Sequence, residues 1–365
     1  MSSGGNERGA DGDPATRGPE DLERAEALAE IDEATLPHEM PRNDGRKLLL
    51  RLGFSLGFLA ILIWRLPDVS LGELLPSPTP ATFGWIAAAV LVHVGAYGLQ
   101  TLRWAEVSDT LGIHLPYKRL FSHLLTGEFV SNALPTSFGG DIVRVVRQGN
   151  DAGDFADAFA ATSIERLTGW LVLPLLSLTG LLLEPAYRHL GSVTVTVLVV
   201  NVATLLALGA ILWVAGHERG AGRLVGRAGW RRYLGAVHLG LVAFRHHPGR
   251  VTKVLVAGVG FQFLQCVSVW ACARALDIPQ IGILAVLTFF PPTAVLQNFP
   301  LALGGLGVRE GVFVFFFGAI GVSNANSISL GLLVYFVFVM ASLAGAPSFV
   351  SGGFAGTGVR QSRAT

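Results

Sequence analysis

The chain has 365 residues, 51% of them hydrophobic and 15% charged, with a mean hydropathy of +0.52. Soluble domains carry about a quarter charged residues, so this balance excludes a water-soluble core and points to lipid as the solvent. The net charge of +1 hides an asymmetry: residues 1–47 hold twelve acidic and six basic side chains, against fourteen and twenty-one in the remainder. No nucleic-acid-binding module is in view, and Arg beside apolar runs suits anionic lipid headgroups.

Residues 1–47, rich in Gly, Pro, Asp and Glu, are predicted to be a disordered, acidic, cytoplasmic tail, with room for one short helix around Asp21–Glu33. So long a polar stretch ahead of the first apolar run predicts no cleavable signal peptide. Residues 48–350 are predicted to form an all-α, polytopic transmembrane domain, and 351–365 a short flexible tail. A span needs ~20 mostly apolar residues. The candidates are Leu48–Leu66, Phe83–Leu102, Leu167–Leu183, Val193–Val214, Val251–Leu276 and Ser327–Ala346. Each must be helical, because lipid offers backbone N–H and C=O groups no partner. Trp64, Trp85, Trp104 and Trp213 lie near run ends, as interfacial aromatics do. Cys266 and Cys272 share one apolar run and read as small buried hydrophobes. No disulfide, metal or cofactor is expected.

Two further apolar stretches, Leu120–Gly140 and Ile281–Phe317, are interrupted by Pro and Gly. Lys and Arg set the orientation. Arg46-Lys47, Lys118-Arg119 and the connector Gly216–Arg250, with its seven Arg, fall on one side only if Leu120–Gly140 enters and leaves by the cytoplasmic face. By the same count Ile281–Phe317 enters and leaves by the outer face, and both termini are cytoplasmic. Arg65, Arg188 and Arg274 are exceptions. Within the connector, Trp230, Tyr233, Leu234, Val237, Leu241 and Phe244 recur at helical spacing. This reads as an amphipathic helix in the cytoplasmic interface, the plainer alternative being a solvated connecting helix.

The broken stretches match each other. One reads Asn132-Ala-Leu-Pro135-Thr-Ser-Phe-Gly139-Gly140-Asp141-Ile-Val-Arg144, the other Asn298-Phe-Pro300-Leu-Ala-Leu-Gly304-Gly305-Leu-Gly-Val-Arg309-Glu310. Both hold Pro-x-x-x-Gly-Gly-x-x-x-Arg, closely preceded by Asn. Opposite insertion sides make this an inverted repeat with two re-entrant segments, whose broken helices meet near the bilayer midplane around a substrate. Proline stops the incoming helix, the Gly pair lets backbone turn and approach a ligand, and the next half-helix offers free N–H groups to an anion. Arg144 and Arg309, a turn later, are predicted to bind phosphate, with Asp141 and Glu310 beside them. The alternative is that Gly139, Gly140, Gly304 and Gly305 serve close packing and that each Arg merely neutralises its neighbouring acid.

Other charges at membrane depth are Glu128 and the pair Glu165-Arg166, the latter read either as functional or as snorkelling near the interface. Glu128, Arg166, Asn132 and Asn298 join the candidate substrate-binding set. His93 reads as hydrogen-bonded packing rather than a proton relay, and Asn201, Gln262 and Gln265 as helix-joining polar residues.

The two Gly-Gly-Arg strings, with Ile164-Glu165-Arg166-Leu between them, resemble the lysylphosphatidylglycerol synthase transmembrane (flippase-like) family over about residues 48–350. The resemblance implies an inner-membrane protein that moves lipids with charged or glycosylated headgroups between leaflets. The full-length synthases carry a soluble aminoacyl-transferase domain after the membrane part, whereas here only a short tail follows Phe349, so that activity is not carried over. The expected partner is a membrane phospholipid or a polyprenyl-type lipid. The alternatives are a membrane-embedded transferase, or an accessory subunit to a separately encoded transferase, with a homo-oligomer compatible with each.

Overall fold

The computed structural model describes residues 76–133, 139–225, 229–298 and 307–352. The predicted tail, the span Leu48–Leu66, both Pro-containing breaks and the last residues lie outside them. Eleven α-helices occur among the described residues. They are α1 (Pro80–Thr110), α2 (Tyr117–Ala133), α3 (Gly139–Ala152), α4 (Phe155–Leu183), α5 (Ser192–Gly216) and α6 (Trp230–Arg245), then α7 (Pro248–Ala275), α8 (Ile283–Gln297), α9 (Val308–Gly318), α10 (Asn324–Ser342) and α11 (Ala346–Gly352).

The protein is a multi-pass α-helical membrane protein. Among the described residues five stretches are long and apolar enough to cross a bilayer: α1, α4, Ser192–Arg223, α7 and Asn324–Gly352. They contain five of the six predicted spans. The shorter α8 is also apolar, at 15 residues.

Two boundaries differ from the sequence reading, for one reason. α1 runs to Thr110 rather than Leu102, and α4 starts at Phe155 rather than Leu167. Apolar-run counting ends at a charge, but here Arg103, Asp157, Glu165 and Arg166 lie inside helices. Asp154 caps α4, its carboxylate accepting from the N–H groups of Ala156 and Asp157 at 2.7 and 3.1 Å.

α1 packs along α7, and Ser268 Oγ donates to the Ala89 carbonyl across that contact at 3.0 Å. α4 is the central element, meeting α3, α6, α7 and α8. Two apolar cores result, one around Phe289, Phe290, Phe313, Phe316 and Phe317, the other around Tyr97, Trp104, Leu124, Ile164 and Phe244. α6 is helical as expected, with Val237, Leu241 and Phe244 buried and Trp230 outermost at 65% exposure.

Within α8, Pro291 and Pro292 remove two N–H groups and free carbonyls one turn earlier. The Thr288 carbonyl, which Pro292 leaves without an intrahelical partner, accepts from Ser177 Oγ of α4 at 2.7 Å. Asn201 Nδ2 of α5 in turn donates to Ser177 Oγ at 2.8 Å. Asn201 therefore joins helices, as expected. Two of the basic exceptions to the orientation count also have structural duties: Arg188 Nε donates to the Leu181 carbonyl near the end of α4, and Arg274 to the Ile281 carbonyl, at 3.0 and 3.2 Å.

Candidate functional site

Each of the two matched strings lies between two described helices. α2 ends at Ala133 and α3 starts at Gly139, while α8 ends at Gln297 and α9 starts at Val308. Asn132 Nδ2 donates to the Glu128 carbonyl at 2.9 Å and Asn298 Nδ2 to the Ala294 carbonyl at 2.7 Å, so each Asn makes the same bond to the carbonyl four residues before it. Gly140 is needed where α2 and α3 cross: a Cβ built on Gly127 would stand 2.7 Å from the Gly140 carbonyl oxygen, and one on Gly140 would strike Ser131 and the Gly127 backbone.

The corresponding arginines occupy corresponding environments. Arg144 and Arg309 are both 1% exposed. Arg144 lies over the Trp104 ring at 4.3 Å and Arg309 over the Tyr335 ring at 5.5 Å. Arg309 Nη2 donates to Glu310 at 3.0 Å, and the other Glu310 oxygen accepts from the Gly307 N–H, so this acid caps α9 as well as neutralising the arginine. Arg144 donates to Glu165 at 3.0 Å and approaches Asp141 at 3.5 Å. The pairing of each Arg with its neighbouring acid is thus present.

Glu165 is the hub of a larger cluster. Its carboxylate is fully buried and accepts from Arg103 Nε at 2.9 Å as well as from the Arg103 terminal nitrogen and Arg144. It does not snorkel. Arg103 was not a sequence candidate, because it directly follows a predicted span and stands beside a Trp that reads as interfacial. The available signal was the spacing Gln100, Arg103, Val107, which continues the helix past the end of the apolar run. Gly169 makes room for the guanidinium: a Cβ there would stand 2.8 Å from both terminal nitrogens of Arg103. Arg166 pairs with Asp141, its side chain 35% exposed.

Beside the cluster lies a cavity of about 230 Å³. Glu128, Asn132, Glu165 and Arg166 line it from one repeat and its following helix, Gln297 and Asn298 from the other repeat, and Arg103 from α1. His93, Gln262 and Gln265 also line it, alongside Trp170 and Phe338. Among the described residues, the buried cavity atoms Gln100 Oε1, His93 Nδ1, Arg103 Nη1 and Gln297 Oε1 have no hydrogen-bond partner. Such groups in a cavity favour a polar occupant. Glu128 forms no ion pair or side-chain hydrogen bond with any described residue.

Of the predicted set, Glu128, Asn132, Asn298 and Arg166 meet at the cavity, while Arg144, Asp141, Arg309 and Glu310 stand behind it in ion pairs. Gly139 and Gly140 open α3. Gly304 and Gly305 lie outside the described residues.

Comparison with known proteins places these features in context. The family described as the lysylphosphatidylglycerol synthase TM region matches residues 48–353. A UPF0104 membrane protein of the archaeon Methanothermobacter thermautotrophicus is 26% identical over 276 residues, covering 70% of this chain and 81% of the relative. No solved structure matches.

Proposed function

This chain belongs to the lysylphosphatidylglycerol synthase TM region family, and on that premise we propose that it translocates a lipid with an anionic headgroup between leaflets, holding the headgroup in the cavity beside Arg166. One observation carries the reading: a polar cavity inside an apolar helix bundle, reached by the ends of both broken helices and lined by charges that lipid alone would not tolerate. Arg166 offers the phosphate its terminal nitrogens. Its Nε is held by Asp141, so the fork is oriented before the ligand arrives. Arg144 and Arg309, both committed to carboxylates, act in this proposal by fixing the starts of the outgoing half-helices α3 and α9.

Leaflet exchange of headgroup-labelled lipids in proteoliposomes tests it. Arg166→Gln removes charge-assisted hydrogen bonds contributing about 1.5–3 kcal/mol each, so exchange and lipid affinity should fall roughly tenfold to a hundredfold. Arg166→Lys should recover little, because an ammonium lacks the planar fork. Wild-type protein that binds no anionic lipid would overturn the proposal.

The two re-entrant units and the cytoplasmic termini belong to the same proposal, supported by the distribution of Arg between connectors. His189 and Arg223, both exposed, fall on opposite sides in this topology. Because Cys266 and Cys272 are buried, cysteines introduced at those positions can be labelled selectively in intact cells. A membrane-impermeant maleimide should modify His189→Cys and spare Arg223→Cys. The reverse pattern would invert the topology.

A further inference from the structure

We infer that the cavity binds a proton at Glu128 together with the lipid phosphate, so that lipid binding is coupled to proton uptake. This rests on the headgroup site proposed above and adds a second ligand to it. The argument is one of charge balance. The cluster holds three guanidiniums, Arg103, Arg144 and Arg166, and three carboxylates, Glu128, Asp141 and Glu165. Asp141 and Glu165 are engaged by arginines, and Glu128, facing the cavity from α2, is the carboxylate of the cluster with no ion-pair partner among the described residues. With Glu128 ionised the cluster is neutral. A phosphodiester entering beside Arg166 would then add an uncompensated negative charge to a largely buried site, next to a carboxylate that accepts no side-chain hydrogen bond from the described residues. Protonation of Glu128 restores neutrality, and its new O–H group becomes a donor to the ligand.

No other group is as well placed to take that proton. From α1 the cavity receives His93, Tyr97 and Arg103. His93 packs against Tyr97 and Phe338 rings at 4.9 and 4.2 Å and forms no ion pair with an acid among the described residues. α3 contributes Asp141 and Arg144 to the cluster, and α4 contributes Glu165 and Arg166. The cavity residues of α7 and α8 are amides and apolar groups, α10 supplies Phe338, and α11 and the short turn before it carry no titratable side chain. On α2 itself, His123 is turned to Asp151 at 2.7 Å.

The sign follows from linkage. If the bound state holds one more proton than the free state, affinity rises as pH falls, by about tenfold per pH unit while free Glu128 is ionised and bound Glu128 is protonated. It levels off once Glu128 is protonated in both states. The test titrates purified protein in nanodiscs with dioleoylphosphatidylglycerol from mildly alkaline to mildly acidic buffer, and follows proton uptake with an indicator dye in weakly buffered solution. The expected results are tighter binding at acidic pH and uptake of a proton as the lipid binds. Glu128→Gln should bind tightly at every pH, with no uptake. Wild-type binding without pH dependence or uptake overturns the coupling and leaves the headgroup site standing. PH dependence that survives in Glu128→Gln moves the proton elsewhere and also overturns it. Absence of lipid binding by folded wild-type protein overturns the headgroup site itself. The uptake measurement uses unmodified protein, so the result does not hang on the folding of the variant.

Discussion

Glu165→Ala is expected to destabilise the bundle by about 3–5 kcal/mol, the cost of leaving buried charges without their counter-ion. The figure is high in the range for single substitutions because one carboxylate serves two guanidiniums. Arg103 and Arg144, 2% and 1% exposed, would both lose a partner, and Arg103 has no other acid within ion-pair distance among the described residues. Arg144 would keep only Asp141, at 3.5 Å, and Asp141 is already engaged by Arg166. Solubilised Glu165→Ala should melt well below the wild type and lose monodispersity on size exclusion. Glu165→Gln should fare better in shape but still melt early, since an amide accepts hydrogen bonds without cancelling charge. A Glu165→Ala protein with an unchanged melting temperature would mean that water reaches both arginines.

The second large effect is expected at Glu310, in the other repeat. Glu310→Ala strands Arg309 at 1% exposure and removes the cap on the Gly307 N–H, so a loss of similar size is expected from two named sources, the greater being the unpaired charge. Its side chain also packs on Gly331, where a Cβ would stand 2.7 Å from Glu310 Cγ. Gly331→Ala should therefore be harmful in wild-type protein and nearly neutral once Glu310 is truncated. Melting temperatures of the two single variants and the double variant close that cycle. Additive losses would show that Glu310 and Gly331 do not share the space.

Much of this was legible in the sequence, because lipid leaves the backbone few choices. Five of six predicted spans fall within helices that the structure describes, and α8 ends at Gln297, just ahead of the second predicted break. The matched strings also placed Arg144 and Arg309 in equivalent surroundings, each on an aromatic ring and each against an acid. What the spacing does not encode is which way a buried guanidinium turns. Both were expected at the ligand, yet it is Arg166, Glu128 and the two Asn that line the cavity. The hub was the hardest part to read. Arg103 and Glu165 lie 62 positions apart, each at the end of an apolar run, where a charge ordinarily reaches water. Only the packing of α1 against α4 makes them one group.

The paired prolines of α8 bear on how the protein is made. A lone α8 inserted into lipid would expose the Thr288 carbonyl to hydrocarbon, at a cost of several kcal/mol. Its donor, Ser177, belongs to α4, and the residue that steadies that donor, Asn201, belongs to α5. Both helices precede α8 in the chain and so leave the ribosome first. The hydroxyl is therefore in the bilayer before the carbonyl that needs it, and vectorial synthesis supplies the order of assembly. In a permuted chain that begins at α8, that helix would emerge with its bonding partners not yet translated, and its insertion would have to wait for them.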